Sequence, residues 1–299
     1  MKTIELVFIP SPGVGHLFST AEMAKLLIDR DERLSITVLT MTPPFDMGTN
    51  PPTNQPHDVA KTNNRICFLE LKPDDDVSTL PSSLFDSISR HKTHVRKIVE
   101  NILKSESTQL AGFVIDMFCS CMLDVANEFG LPTYVFFTSN AGFLGFMLHL
   151  QTLRDHHNHD ITEYKDSEME LHIPSFAIPV PAKVFPSRLL DKEREPDAFI
   201  SILGRLREAK GIMINTFAEL ESHAIKSLSD SDDIPPVYPV GPILNINSDK
   251  RDDDVVLIWL DNQPKSSVVF FCFGSMGGFD ADQVLEIAHA LEWSGHRFL

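Results

Sequence analysis

Leu6-Val7-Phe8-Ile9-Pro10-Ser11-Pro12-Gly13-Val14-Gly15-His16-Leu17 is the stretch on which the reading of this chain turns. Four consecutive apolar residues suit a short buried strand. Two prolines and two glycines then follow in a segment that neither a helix nor a central strand tolerates. From Leu17 to Ile28 the apolar positions Leu17, Ala21, Ala24, Leu27 and Ile28 share one side of a helix, with Glu22, Lys25 and Asp29 opposite. Leu34 to Thr40 alternates as a strand. Strand, glycine-bearing turn, helix and strand in direct succession form a βαβ unit, which implies a parallel sheet with a right-handed crossover.

Outward from that unit the alternation continues. Ile66 to Leu69 reads as a strand and Ser82 to Leu103 as helical. Ala111 to Asp116 is a buried strand ending in an acid. Cys121 to Phe129 is a helix, Thr133 to Phe137 a strand and Ala141 to Leu153 a helix. Asp197 to Lys210 is helical, Gly211 to Thr216 a strand and Leu220 to Leu228 a helix. The fold class is α/β. Gly48 to Asn64 is a polar excursion, and Pro174 to Pro186 is extended loop. Val237 to Pro242 is rigid and extended, and His156-His157-Asn158-His159-Asp160 a solvated loop.

Asn245 to Asp254 is polar and charged, and is the expected linker between a first domain over residues 1–244 and a second beginning at residue 255. There Val255 to Leu260 is a short helix. Ser267 to Phe273 reads as a strand too apolar to be anything but buried. Asp280 to Glu292 is a helix, and His296 to Leu299 opens another strand. One parallel strand and one helix cannot cover each other's apolar faces. Residues 255–299 are therefore expected to be the incomplete start of a domain, and the chain reads as truncated.

The 299 residues are 42% hydrophobic and 23% charged, enough for a core. Lys plus Arg number 26 against 42 Asp plus Glu, a net charge of −16. Such a surface repels nucleic acid and anionic lipid, so no nucleic acid partner is expected. Phe129 to Leu150 lacks acids, Lys and Arg but contains Pro132, Thr138, Ser139 and Asn140. A strand, a polar turn and a helix explain it better than a membrane span. The N-terminus lacks the long apolar run of a signal peptide. Cys67, Cys119, Cys121 and Cys272 are expected to be buried free thiols in a reducing, cytoplasmic compartment.

Ligands of open α/β sheets bind outside the carboxyl ends of the strands. Pro12 to His16, Asp116 to Phe118, Thr138 to Asn140, and Gly274 to Gly278 each follow a buried strand. His16 lies in such a turn. A helix N-terminus disfavours imidazolium, so a depressed pKa and a general-base role for a hydroxyl are one reading, and an ordinary turn histidine is the other. Asp116 would orient that ring if the two are adjacent. A helix-capping carboxylate is the alternative. Gly274 to Gly278 offers backbone N–H groups to a diphosphate. A dinucleotide fingerprint, GxSxG, HExxH and P-loop motifs are all absent, which argues against a dehydrogenase. Phe118, Phe136, Phe137, Phe143 and Phe146 suit an aromatic pocket or a plain core.

The opening block resembles the plant UDP-dependent glycosyltransferases that act on flavonoids and phenylpropanoids. So do Asn215-Thr216-Phe217-Ala218-Glu219-Leu220-Glu221, Tyr238-Pro239-Val240-Gly241-Pro242-Ile243, Trp259-Leu260-Asp261-Asn262-Gln263-Pro264 and Phe271-Cys272-Phe273-Gly274-Ser275-Met276-Gly277. The order and spacing match the N-terminal part of the family. The resemblance implies a complete N-terminal Rossmann-like domain of a two-Rossmann-domain fold, followed by the start of the nucleotide-sugar-binding domain. It further implies an inverting glucosyl transfer from UDP-glucose to a phenolic hydroxyl, with no cofactor and no metal, by a protein that is monomeric when complete. By likeness His16 is the base and Asp116 its partner. Thr138 contacts the donor sugar and Ser275 the donor phosphates. Gly15, Phe118, Asn140 and Phe185 border the acceptor pocket. The family's donor signature, with a tryptophan that stacks on uracil, falls beyond Leu299. The 299-residue chain itself is therefore expected to be inactive or weakly active, and the alternative is a non-catalytic product that binds phenolic ligands or a partner protein.

Overall fold

The computed structural model describes residues 2–44, 63–71, 81–244, 255–273 and 279–299. These divide into two compact units, one ending at Leu244 and the other covering residues 255–299. The polar excursion at residues 48–62, the segment 245–254, and Ser275 with its turn at 274–278 lie outside the described residues.

The first unit is built on a seven-stranded sheet. In chain order it contains β1 (Thr3–Ile9), α1 (Val14–Arg30), β2 (Leu34–Met41), β3 (Ile66–Leu71), α2 (Leu84–Arg90), α3 (Lys92–Leu103), β4 (Thr108–Asp116), α4 (Met122–Glu128), β5 (Thr133–Phe137) and α5 (Ala141–His157). A two-strand hairpin of β6 (Glu170–Leu171) and β7 (Val180–Pro181) follows, then α6 (Ser187–Leu190), α7 (Pro196–Gly204), β8 (Gly211–Ile214), α8 (Ala218–Ser229) and β9 (Val237–Pro239). The sheet order is β3-β2-β1-β4-β5-β8-β9, with every pairing parallel. Strand order reverses between β1 and β4. That is a topological switch point, where the crossovers leave a crevice at the strand ends.

Period-two alternation sends neighbouring residues to opposite faces. Val7, Ile9, Phe113, Ile115, Val135 and Phe137 belong to the larger core cluster, beneath Val95 and Val99 of α3, Leu123 of α4, Leu144 and Leu148 of α5 and Leu203 of α7. Phe8, Val114 and Phe136 face the other way, against Ala21, Ala24 and Ile28 of α1. Burial on both faces explains why these strands are almost continuously apolar.

The structure departs from the sequence reading at several elements. The helical spacing over 82–103 is two helices, broken at the buried His91, with Ser83 Oγ accepting the Asp86 N–H at 3.1 Å to cap the first. The helix from Ala141 runs on through His156 and His157 to a left-handed Asn158, so two of the histidines placed in a loop form its last turn. The helix over 197–210 gives way after Gly204 to a 3₁₀ turn, Arg205–Glu208. Val237–Pro239 is the edge strand of the sheet. Pro239 is tolerated there because an edge strand has an unpaired side. Cys119 is buried, whereas Cys67 and Cys272 are exposed.

In the second unit, α9 (Val255–Asp261) precedes β10 (Val268–Val269), α10 (Ala281–Ser294) and β11 (Arg297–Phe298). Asp280 and Gln283 form a reciprocal capping box, and Gly295 ends α10 in the left-handed region. Of the run Ser267 to Phe273 only Val268 and Val269 pair with β11, and Phe270 is 69% exposed. The expected burial does not occur: among the described residues no second layer covers this strand, and apolar character alone cannot bury it.

Candidate functional site

Gly13 caps α1 with φ 152° and ψ 138°, a conformation reserved for glycine, so the chain enters the helix abruptly at Val14. His16 is thus the third residue of α1, inside its first turn instead of in the loop before it. Asp116 ends β4, the strand beside β1. The switch point brings them together: His16 Nδ1 lies 2.7 Å from Asp116 Oδ2. The carboxylate is fully buried while the imidazole keeps 26% of its surface, so a ligand can reach the ring but not its partner. Asp116 Oδ1 accepts the Phe118 N–H at 3.0 Å, so both carboxylate oxygens are engaged.

Thr138, just past β5, sets its Oγ1 3.2 Å from the same His16 Nδ1. Two oxygens facing Nδ1 assign the ring proton to that nitrogen and leave Nε2 as the lone-pair nitrogen of the neutral ring. Burial is the largest single influence on His16 and lowers its pKa. The hydrogen bond and negative charge of Asp116 together outweigh it, so the pKa is raised above the ordinary histidine value. The depressed pKa expected from the helix N-terminus is corrected accordingly.

Phe118 packs 5.5 Å from the His16 ring, centroid to centroid. Phe85 and Phe199 lie 6.0 and 5.9 Å from Phe118, and the Arg188 guanidinium sits 5.2 Å from the Phe199 centroid. Neither Phe85, Phe199 nor Arg188 was legible as part of a site. They come from three separate elements, and no local spacing connects them.

The sequence candidates for the acceptor pocket separate into two places. Gly15 and Phe118 accompany the His16–Asp116 pair. Asn140 and Phe185 line a cavity of about 520 Å³ together with Phe143, Phe146, Phe176 and Glu221, and His16 is not part of that lining. Asn140 Oδ1 caps α5 by accepting the Phe143 N–H at 2.7 Å. Phe136 and Phe137 are plain core, at 1% and 0% exposure. Among the described residues no group of three His, Cys, Asp or Glu side chains could hold a metal ion, and no helix is long and apolar enough to cross a membrane.

A parallel α/β sheet of this order, with an addressable His–Asp pair at its switch point, defines an α/β Rossmann-like domain with a candidate acid–base site. Comparison with known proteins narrows this. UDP-glucose flavonoid 3-O-glucosyltransferase 6 of Fragaria ananassa is 51% identical over 100% of this chain, which spans 65% of that protein. A glycosyltransferase of Siraitia grosvenorii, solved with UDP, superimposes with a TM-score of 0.84 at 42% identity, covering 99% of this chain and 64% of the other. A Medicago truncatula enzyme, solved with UDP-glucose, gives 0.82 at 37% identity, covering 99% of this chain and 65% of the other. No family model matches the chain. The chain belongs to the plant UDP-glycosyltransferase family, and it spans about 65% of the length of the curated relatives it matches.

Proposed function

We propose that this chain carries the acceptor-activating part of an enzyme that transfers glucose, with inversion, from UDP-glucose to a hydroxyl of a flavonoid or related small phenolic. The observation that carries the reading is the 2.7 Å His16–Asp116 contact with Nε2 left open. The acceptor O–H donates to Nε2 as its oxygen attacks the anomeric carbon from the face opposite UDP. The bond to the diphosphate oxygen breaks, UDP leaves, and the imidazolium is stabilised by Asp116. A phenolic hydroxyl suits such a base because it titrates near pH 10, within reach of a histidine. Phe118 offers an aromatic face beside the reacting oxygen.

Thr138 shares the Nδ1 proton and retains its own hydroxyl hydrogen, which supports a contact to the donor sugar. By the family resemblance Ser275 is assigned to the donor phosphates, and Gly15, Phe118, Asn140 and Phe185 to the border of the acceptor pocket, the last two through the cavity they line. On this reading residues 1–244 bind acceptor, 245–254 link, and 255–299 begin the nucleotide-sugar-binding domain. The protein needs no metal and works as a cytoplasmic monomer, a compartment that suits free thiols.

In the complete protein, replacing His16 by alanine is expected to cost between about 10² and 10⁴ in turnover of UDP-glucose and a flavonol. Glucoside formation at a near-normal rate in that variant rejects the base assignment. The competing reading is a non-catalytic chain that keeps the acceptor pocket and binds phenolic ligands or a partner protein, the latter through the exposed apolar faces of the second unit. A stop codon in the transcript directly after position 299 would favour it, and an open frame running on to the donor signature would favour the enzyme.

A further inference from the structure

Glu221 of α8 closes the N-terminus of α5. Its Oε2 accepts the Ala141 N–H and its Oε1 the Gly142 N–H, each at 2.9 Å. Asn140 Oδ1 takes the next amide, that of Phe143, at 2.7 Å. Three of the donors that a helix start leaves unpartnered are therefore filled by side chains, two of them by one carboxylate. The positive end of the helix favours a negative partner. Glu221 makes this contact from non-helical backbone, φ −131° and ψ 41°, in the interior of α8. The bend falls on the residue whose side chain spans the two helices.

The held end is continuous with the site. Only Ser139 and Asn140 separate Ala141 from Thr138, whose Oγ1 lies 3.2 Å from His16 Nδ1. On the other side of this turn Phe137 is fixed in β5, its carbonyl accepting the Asn215 N–H at 3.0 Å. The turn is thus tied at the sheet by backbone and at the helix by Glu221. With the α5 amides already occupied, that helix end is also closed to a diphosphate.

We propose that Glu221 is a positioning residue for the transfer reaction: its side chain borders the 520 Å³ cavity, but both carboxylate oxygens are engaged by the α5 amides, and by clamping that first turn it holds Thr138 against the His16 imidazole. The role rests on the reading of His16 as the base. The clamp itself is open to a measurement that needs no turnover. With ¹⁵N-histidine labelling, and His16→Ala to assign the signal, the ring nitrogens of His16 are compared in the 299-residue chain and in Glu221→Ala, Glu221→Gln, Thr138→Val and the Glu221→Ala/Thr138→Val double variant. Glu221→Ala should move the His16 signals in the same sense as Thr138→Val, and the double variant should move them no further. Glu221→Gln should fall between, since its one carbonyl oxygen replaces two, and it carries the test if the alanine variant does not fold.

In turnover by the complete protein, Glu221→Ala should lower kcat between about 10- and 100-fold, as expected when a reacting group is misplaced by an ångström or less. Acceptor KM should change little, and the effect should vanish on the Thr138→Val background. A purely structural role would lower stability in both backgrounds alike. His16 signals that stay at their wild-type positions in folded Glu221→Ala or Glu221→Gln, or shifts that add in the double variant, overturn the clamp. Normal turnover in His16→Ala would instead reject the base reading and leave the clamp measurement standing.

Discussion

His16 is pulled in two directions: burial favours the neutral ring, and Asp116 favours the charged one and prevails. The linkage follows directly. Because the folded pKa lies above the reference of 6.5, the pair's stabilisation is fully present below that reference and is lost as pH rises through the folded value. Catalysis has the opposite demand, since only the neutral ring accepts a proton, so turnover should climb through the same raised value. Asp116→Asn removes the charge and leaves the burial. The His16 titration midpoint, followed by NMR, should then fall below 6.5, and turnover should drop although more of the ring is neutral, because the imidazolium formed in the reaction loses its counter-charge. A midpoint unmoved by Asp116→Asn would contradict the balance described.

At the level of elements, α5 packs so closely on the loop before β7 that Gly145 has no room for a side chain: an added Cβ would collide with Ser175 Cβ and Oγ. Ser175 Oγ also donates to the Gly142 carbonyl at 3.0 Å, tying that loop to the first turn of α5. Glycine inside a helix costs about 1 kcal/mol relative to alanine, so the close approach offsets a real loss of propensity. Gly145→Ala should nevertheless destabilise by about 1–3 kcal/mol, the usual cost of overpacking. Adding Ser175→Gly, which removes the colliding atoms, should recover at least half of it in urea titrations. A stabilised single variant would show that the loop yields freely.

The two units of the molecule differ in what covers them. The first has a continuous core on both faces of its sheet, whereas in the second Val255, Phe270 and Trp293 are 78%, 69% and 84% exposed. Apolar surface of that extent is an aggregation liability. Both tryptophans of the chain, Trp259 and Trp293, belong to the second unit, so tryptophan emission reports on it alone. The 299-residue chain should show emission near the water-exposed limit, and its denaturant transition should not coincide with that of far-UV circular dichroism. Brief trypsin treatment should cut at the exposed Lys265 before the first unit is degraded. Coincident transitions together with a protease-resistant second unit would show that the two units unfold as one.

Local pattern determined a good deal here. Apolar runs, proline and glycine punctuation, and helical spacing placed β1, α1, β2, β4 and β5, because each depends on the chemistry of neighbouring residues. His16 and Asp116 could be singled out because they follow buried strands. Their contact is expected only through the family resemblance and not from local pattern, since 100 residues separate them and only the order β2-β1-β4 sets their strands side by side. Tertiary structure also fixed the sign of the His16 shift, because the helix end is legible in sequence and the charge of a distant carboxylate is not. The pairing of Val237–Pro239 on the sheet edge and the grip of Glu221 on α5 share that cause. Each is decided by a partner far away in the chain, and periodicity carries no information about which distant group arrives.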